Sequence, residues 1–175
     1  MPYNEAKILV AVSSQKLSAE IGDTLAAKDV GEFHVAHTMY EAVELMHDYL
    51  FSLFIVDGQL LVSNDNEKMR LAGVDFIRFI RMCEGPVSEA AIAFLRSTSQ
   101  VQNILEASAE IMEAHEGGAS CIISQPLTPE KFEEAVDPIL KQPRTFIRAR
   151  DYTGPCRRRK TIQIDHNRRT PGNSE

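Results

Sequence analysis

The stretch FSLFIVDG, residues 51–58, is apolar until it reaches Asp57. A short apolar run that stops at a charged residue and a glycine is typical of a strand buried on both faces of a sheet. Four more short runs have the character of strands: KILVAV (7–12), FHVAH (33–37), AAIAFL (90–95) and SCIIS (120–124). The sequence therefore predicts five strands.

The segments between these runs have the spacing of amphipathic helices. In SSQKLSAEIGDTLAAK, three apolar residues recur at helical spacing behind a serine cap: Leu17, Ile21 and Leu25. The other helical segments are TMYEAVELMHDYL, GVDFIRFIRMC, SQVQNILEASAEIMEAH and TPEKFEEAVDPIL, the last with Thr128 as its cap. Alternating strands and helices predict an α/β fold, a doubly wound five-stranded parallel sheet with helices on both faces.

In such a sheet, ligands and chemistry lie beyond the carboxyl ends of the strands. The residues predicted to occupy these positions are 12–14, 57–59, 96–98 and 124–126. We therefore expect any chemistry in the body of the chain to involve them.

The charge is distributed unevenly along the chain. Residues 1–141 carry 10 Lys and Arg against 22 Asp and Glu, whereas residues 142–175 carry 9 against 3. We expect one acidic domain over residues 1–141 and an arginine-rich tail over residues 142–175. Such a tail contacts an anion, or it lies loosely against its own acidic body; both interpretations stay open.

The cysteines and histidines predict neither a disulfide nor a metal site. Cys83, Cys121 and Cys156 are more than thirty residues apart, and the five histidines form no metal-ligand cluster. The sequence shows no charged leader before a long apolar stretch, and no apolar run approaches the length of a membrane span. We therefore expect a cytoplasmic protein with reduced thiols and no membrane insertion.

Two motifs resemble the receiver domain of two-component response regulators, the CheY-like fold. They are LFIVDG at the end of the third strand and GASCIISQPLTPEKF around the fifth, which looks like the family's GA...KPF segment. The resemblance covers about residues 6–141. It implies the receiver fold, and it implies that Asp57 occupies the position of the family's phosphoacceptor.

The other functional positions implied by the resemblance depart from the family pattern. The acidic pair that holds Mg²⁺ after the first strand is replaced by Val12 and Ser13, and the lysine after the fifth strand is replaced by Gln125. The Ser or Thr after the fourth strand aligns with either Arg96 or Ser97. The switch-region positions are thus Ser13, Arg96, Ser97, Gln125 and Pro126.

These replacements disfavour phosphoryl transfer, which depends on positioning and on charge stabilisation by metal ions and cations. We expect Asp57 to be a weak phosphoacceptor and the protein not to be an enzyme. Two interpretations stay open for this site. Arg96 supplies a positive charge and pairs with Asp57, or Asp57 is a vestigial residue bonded to backbone amides.

The tail contains RARDYTGPCRRRK, residues 148–160. Its few apolar residues and its prolines predict a largely irregular arm, with a turn at Gly154 and Pro155 that gathers the arginines around Tyr152. Arginine pairs bidentately with phosphate oxygens and with the guanine edge, and tyrosine offers a stacking face for a base. The arm is therefore suited to a guanine dinucleotide.

A narrower resemblance supports that ligand. The segment looks like the arginine-rich C-terminal stretch of CheY-like proteins that bind cyclic di-GMP, and RTFIR (144–148) has the RxxxR spacing of the PilZ domain. The nucleotide-binding residues that it implies are Arg144, Arg148, Arg150, Tyr152, Arg157, Arg158 and Arg159.

The leading hypothesis is a non-catalytic bacterial signalling adaptor whose tail becomes ordered on binding cyclic di-GMP and changes the protein partner of the body. That partner is expected to be a flagellar motor component or a histidine kinase, and a homodimer is also compatible. DNA is not expected as a partner, because the acidic body would repel a polyanion. The alternatives are a response regulator phosphorylated on Asp57 in a phosphorelay and an interaction module with a merely electrostatic tail.

Overall fold

The computed structural model describes residues 2–63, 72–96 and 104–157, with the side chains of residues 104–107 excluded. Three residues named above, Ser97, Arg158 and Arg159, lie outside this part of the chain. Within the described ranges, no helix is both long enough and apolar enough to cross a membrane.

Five parallel strands form the predicted sheet. They are β1 (Lys7–Ala11), β2 (Glu32–Ala36), β3 (Leu53–Asp57), β4 (Ala91–Arg96) and β5 (Cys121–Ser124). Their order across the sheet is β2-β1-β3-β4-β5, so the chain starts in the interior of the sheet and reverses direction after β2. This is the predicted doubly wound arrangement, and its ligand crevice lies beyond the carboxyl ends of β1 and β3.

Five α-helices alternate with these strands. They are α1 (Gln15–Ala26), α2 (Met39–Asp48), α3 (Gly73–Met82), α4 (Ile104–Gly117) and α5 (Pro129–Lys141). Three of them begin with a hydroxyl that accepts a hydrogen bond from a free backbone N–H of the first turn, and the capping residues are Ser14, Thr38 and Thr128. A 3₁₀ helix, Pro86–Glu89, precedes β4.

Two apolar layers cover the sheet, because successive strand residues point to opposite faces. In β1, Ile8 and Val10 pack with α1 and α5, whereas Leu9 and Ala11 pack with α2 and α3. Every residue of β3 is buried. Since each fully buried Leu, Ile or Phe side chain stabilises the fold by roughly 1.5–3 kcal/mol, these central strands hold both layers together.

The tail departs from the expectation of an irregular arm. Phe146–Ala149 (β6) and Tyr152–Pro155 (β7) form an antiparallel hairpin, so that expectation is wrong for these residues. The predicted turn is also misplaced, since Gly154 and Pro155 lie within β7 and the chain turns at residues 150–151. Ordering these residues costs conformational entropy. The contacts of the hairpin with the body offset that cost, whereas the few apolar residues of the tail alone would not.

Two glycines bring this hairpin into direct contact with the body. Gly118, after α4, has a φ of +101°, and a methyl group there would lie 2.6 Å from the carbonyl oxygen of Thr153. A methyl group on Gly154 would lie 3.0 Å from the Cα of Gly118 and 2.7 Å from the hydroxyl oxygen of Tyr152. The glycine of YTGP is therefore required by close packing rather than by a turn.

The buried guanidinium of Arg81 ties together the backbone beneath the hairpin. Arg81 lies on α3, is 3% exposed, and donates hydrogen bonds to the carbonyl oxygens of Gly118, Ser88 and Ala90 at 2.7–2.9 Å. The ring centroid of Phe146 in β6 lies 5.4 Å from the guanidinium carbon. Burial lowers the pKa of Arg81 to about 10, which leaves it charged at neutral pH.

Candidate functional site

Asp57 ends β3 and lies at the carboxyl edge of the sheet. It is 2% exposed, and its Oδ1 accepts a hydrogen bond from the backbone amide of Gln59 at 3.2 Å. Burial raises the pKa of this carboxyl to about 6; the Gln59 amide opposes that increase, and the charge of Glu110 adds to it. This geometry favours the interpretation in which Asp57 is bonded to backbone amides.

The residues after β1 place an apolar side chain and a hydroxyl at the positions of the family's acidic pair. Val12 is fully buried, and the Ser13 hydroxyl donates to the His37 carbonyl at 2.9 Å and accepts from the Leu61 amide at 2.8 Å. Ser13 therefore joins the loops that follow β1, β2 and β3. Mg²⁺ is usually bound through carboxylates and water. The Ser13 hydroxyl is neutral and already bonded to two backbone groups, so it is a poor substitute for the acidic pair.

The segment after β5 carries a neutral side chain at its predicted switch position. The backbone amide of Gln125 donates to the Arg96 carbonyl at 3.0 Å, and the peptide bond from Gln125 to Pro126 is cis. Lys131, on α5, donates to the Pro126 carbonyl at 3.2 Å. Within the described ranges, no group of three His, Cys, Asp or Glu residues is arranged to hold a metal ion.

Arg96 pairs with a residue that the sequence did not indicate. Its Nε lies 3.5 Å from Oε2 of Glu110 on α4, and the two side chains are only 15% and 24% exposed. The hypothesis that Arg96 pairs with Asp57 is therefore replaced by an ion pair between Arg96 and Glu110. Burial raises the pKa of Glu110, and the positive charge of Arg96 opposes that increase. Glu110 lies within a helix, where no sequence pattern marked it for function.

A groove of about 1220 Å³ runs along β5 between α4 and α5. Its lining includes all of β5 and, at one end, Arg144, Tyr152 and Arg157. Three of the predicted nucleotide-binding residues therefore meet at one cavity. The groove was not predicted, because its shape depends on how α4, α5 and the hairpin pack around β5.

Arg157 and Tyr152 contact each other at this end of the groove. The guanidinium carbon of Arg157 lies 4.1 Å from the centroid of the Tyr152 ring, a cation–π geometry. The Tyr152 hydroxyl donates to the Pro155 carbonyl at 2.8 Å, which holds the ring beside Gly154. The motif YTGPCR therefore has a structural role in closing the hairpin.

Arg148 points to the other face of the hairpin. Its Nη2 donates to the Ser88 hydroxyl at 2.8 Å and lies 3.3 Å from a carboxylate oxygen of Glu89. The predicted gathering of all the arginines around Tyr152 therefore does not include Arg148, which the body binds instead. Arg150 is exposed at the turn of the hairpin.

The hairpin and Asp57 lie at opposite edges of the sheet. The hairpin contacts Ser88 and Gly118, which precede β4 and β5, whereas Asp57 ends β3. Since β4 has six residues, the two edges are roughly 17 Å apart. The groove extends along β5 from the hairpin side and reaches Ser124, directly before the Gln125 switch position.

Comparison with known proteins supports the fold through structure rather than sequence. No family model and no curated protein matches this sequence. The chemotaxis response regulator CheY4 of Vibrio cholerae matches with a TM-score of 0.56 and 21% identity over 74% of this chain and 93% of its own. A response regulator from Thermotoga maritima matches with a TM-score of 0.59 and 20% identity over 78% of this chain and 98% of its own. The described body thus has the fold of a response regulator receiver domain.

Proposed function

We propose that this chain is a phosphorylation-independent signalling adaptor. Its arginine-rich C-terminal segment binds cyclic di-GMP, and the bound nucleotide changes the protein partner of the receiver-like body. The observation that carries the proposal is the meeting of Arg144, Tyr152 and Arg157 at one groove. The burial of Asp57 and the nearby charge of Glu110 support the part of the proposal that the adaptor works without phosphorylation.

A phosphoryl group on Asp57 would enter an unfavourable electrostatic environment. Phosphoryl transfer needs metal ions and cations that neutralise the charge developing on the phosphate oxygens. Here the Ser13 hydroxyl is bonded to backbone groups, and Arg96 is paired with Glu110. The added anion would instead lie near the negative charge of Glu110.

The groove has the size and the side chains for a guanine dinucleotide. Its volume of about 1220 Å³ exceeds the sizes common for small-molecule sites, roughly 300–1,000 Å³, and so leaves room for a dinucleotide. Arginine forks pair with phosphate oxygens and with the O6 and N7 atoms of guanine, and both Tyr152 and Arg157 provide planar groups for base stacking. Arg158 and Arg159 directly follow Arg157 in the sequence and add two further cations.

The position of the groove links the ligand to an output. β5 is the last strand of the five-stranded sheet, and the groove exposes it together with the facing sides of α4 and α5. A nucleotide held there would change the surface that the body offers to a protein. The partners that we propose are a flagellar motor component, a histidine kinase or a second copy of the chain.

Isothermal titration calorimetry of the full chain with cyclic di-GMP, with GTP as competitor, tests this proposal. We expect a dissociation constant in the micromolar range or below, and a loss of about 10- to 100-fold for Arg144→Ala or Arg157→Ala, because hydrogen bonds to charged groups contribute about 1.5–3 kcal/mol each. Lys16→Ala, which removes an exposed cation on α1, is the control and should bind normally.

The full chain is required, because a protein ending at Lys141 would expose Gly118 and the buried Arg81. Absence of binding by the wild-type chain would overturn the nucleotide proposal and favour a merely electrostatic tail. Equal affinity of the wild type and Arg157→Ala would remove the groove as the ligand site.

The competing function is a single-domain response regulator phosphorylated on Asp57 in a phosphorelay. The position of Asp57 at the carboxyl end of β3, in a receiver fold, favours it. Incorporation of label from acetyl phosphate, or a spectral response to beryllofluoride, that is present in the wild type and absent in Asp57→Asn would establish this function in place of the one proposed.

A further inference from the structure

The carboxylate of Glu110 lies against the backbone immediately after Asp57. A methyl group on Gly58 would lie 2.5 Å from Oε1 of Glu110 and 2.9 Å from the ring of Phe94. Because Gly58 has no side chain, the Glu110 carboxylate has room beside the end of β3. A helix that is distant in the sequence thereby places a negative charge at the carboxyl edge of the sheet.

Arg96 approaches the other oxygen of the same carboxylate. Its Nε lies 3.5 Å from Oε2 of Glu110, and Arg96 ends β4, the strand whose Leu95 is in register with Asp57. The backbone amide of Gly58 also donates to the Leu95 carbonyl at 2.9 Å. The ion pair therefore connects the end of β4 to α4 directly beside Asp57.

This arrangement sets the charges around Asp57. The positive charge of Arg96 is compensated by Glu110, while Asp57 experiences burial and a like charge, both of which disfavour an ionised carboxyl. An anionic group arriving at Asp57 would have to compete with Glu110 for Arg96.

We infer that Glu110 is a built-in anion that holds the end of β4 against α4 through Arg96 and closes the Asp57 edge to external anions. This inference rests on the phosphorylation-independent part of the proposed function and extends it by naming the residue that enforces it. Because Glu110 and Arg96 keep the carboxyl edge closed to external anions, the signal reaches the adaptor through the nucleotide that binds its C-terminal segment.

The variant Glu110→Gln tests the inference, because glutamine fills the same space without the charge. The like charge beside Asp57 is then removed and the charge of Arg96 is no longer compensated, so the pKa of Asp57 should fall, although burial keeps it above its ordinary value. Carbon-13 NMR titration of the aspartate carboxyls measures this shift, and Asp57→Asn identifies the signal. Hydrogen exchange of the α4 amides should become faster in the same variant.

Glu113→Gln is the matched control. It removes an exposed carboxylate one turn further along α4 and should leave both the Asp57 titration and the exchange of α4 nearly unchanged. If Glu110→Gln and Glu113→Gln behave alike, the inference is wrong.

Beryllofluoride separates failure of this inference from failure of the proposed function. A wild-type chain that takes up beryllofluoride at Asp57 contradicts both. A wild-type chain that does not, together with an Asp57 pKa unchanged in Glu110→Gln, contradicts only the role of Glu110.

Discussion

Among the residues that the structure describes, the two edges of the sheet each bury one charged side chain, and they satisfy it in different ways. At the carboxyl edge, Asp57 accepts a backbone hydrogen bond and experiences the like charge of Glu110. At the amino edge, Arg81 donates to three backbone carbonyls and supports the hairpin. The carboxyl edge thus combines burial with like charge around Asp57, and the opposite edge carries the hairpin.

The comparison predicts that loss of Arg81 has the largest effect on stability. Arg81→Ala should lower the free energy of unfolding by about 3 kcal/mol or more, because it leaves several buried carbonyl groups without a donor. Urea denaturation measures the change. Arg78→Ala, an exposed arginine on the same helix, should cost less than about 1 kcal/mol. Similar costs for the two variants would show that the hydrogen bonds of Arg81 to the backbone beneath the hairpin do not stabilise the fold.

Asp57 should make stability fall as the pH rises. Its pKa is raised from 3.8 to about 6, so between these values the folded state keeps a proton that the unfolded state has released. The contribution of Asp57 to the free energy of unfolding is therefore greatest below about pH 4. It has fallen by about 3 kcal/mol once the pH exceeds 6. Urea denaturation at several pH values measures the slope, and Asp57→Asn should flatten it. An unchanged slope in Asp57→Asn would contradict this.

Gly118→Ala should cost about 2 kcal/mol or more and shift the amide NMR signals of β7. The positive φ contributes about 1 kcal/mol, and the overlap with the Thr153 carbonyl adds to it. Gly85→Ala is a control with the same kind of strain, since Gly85 has a φ of +78° but no atom within 4 Å of an added methyl group. Equal costs would mean that the hairpin does not press on Gly118.

Arg148→Ala should have the smallest effect on stability, less than about 1 kcal/mol, because its ion pair with Glu89 is about half exposed. Chemical denaturation tests this value, and calorimetry with cyclic di-GMP adds a second measurement. A normal affinity would confine the ligand to the groove side of the hairpin, whereas a large loss of affinity would mean that Arg148 leaves Glu89 on binding.

Most of the fold could be predicted from local patterns. FSLFIVDG and the other apolar runs match the observed strands within two residues, and Thr128 caps α5 as expected. These features depend on periodicity and on capping within one turn, both of which are visible in a single sequence.

The candidate sites were only partly predictable. Asp57 and Ser13 were placed correctly at the carboxyl edge, because the end of a strand fixes where they lie. The partner of Arg96 was missed, since Glu110 is one of several acidic residues on α4 and only the packing of that helix brings it to Gly58.

The sequence by itself determined the order of strands and helices, the position of Asp57 and the concentration of arginines in the tail. The tertiary structure decided which charges meet: Arg96 with Glu110, Arg148 with Glu89, and Arg157 with the Tyr152 ring. It also decided that residues 146–155 form a hairpin, because Gly118 and Arg81 supply the contacts that make ordering of this segment favourable. Local structure follows from near neighbours in the chain, whereas electrostatic pairing and ordering depend on groups that only the packed fold brings together.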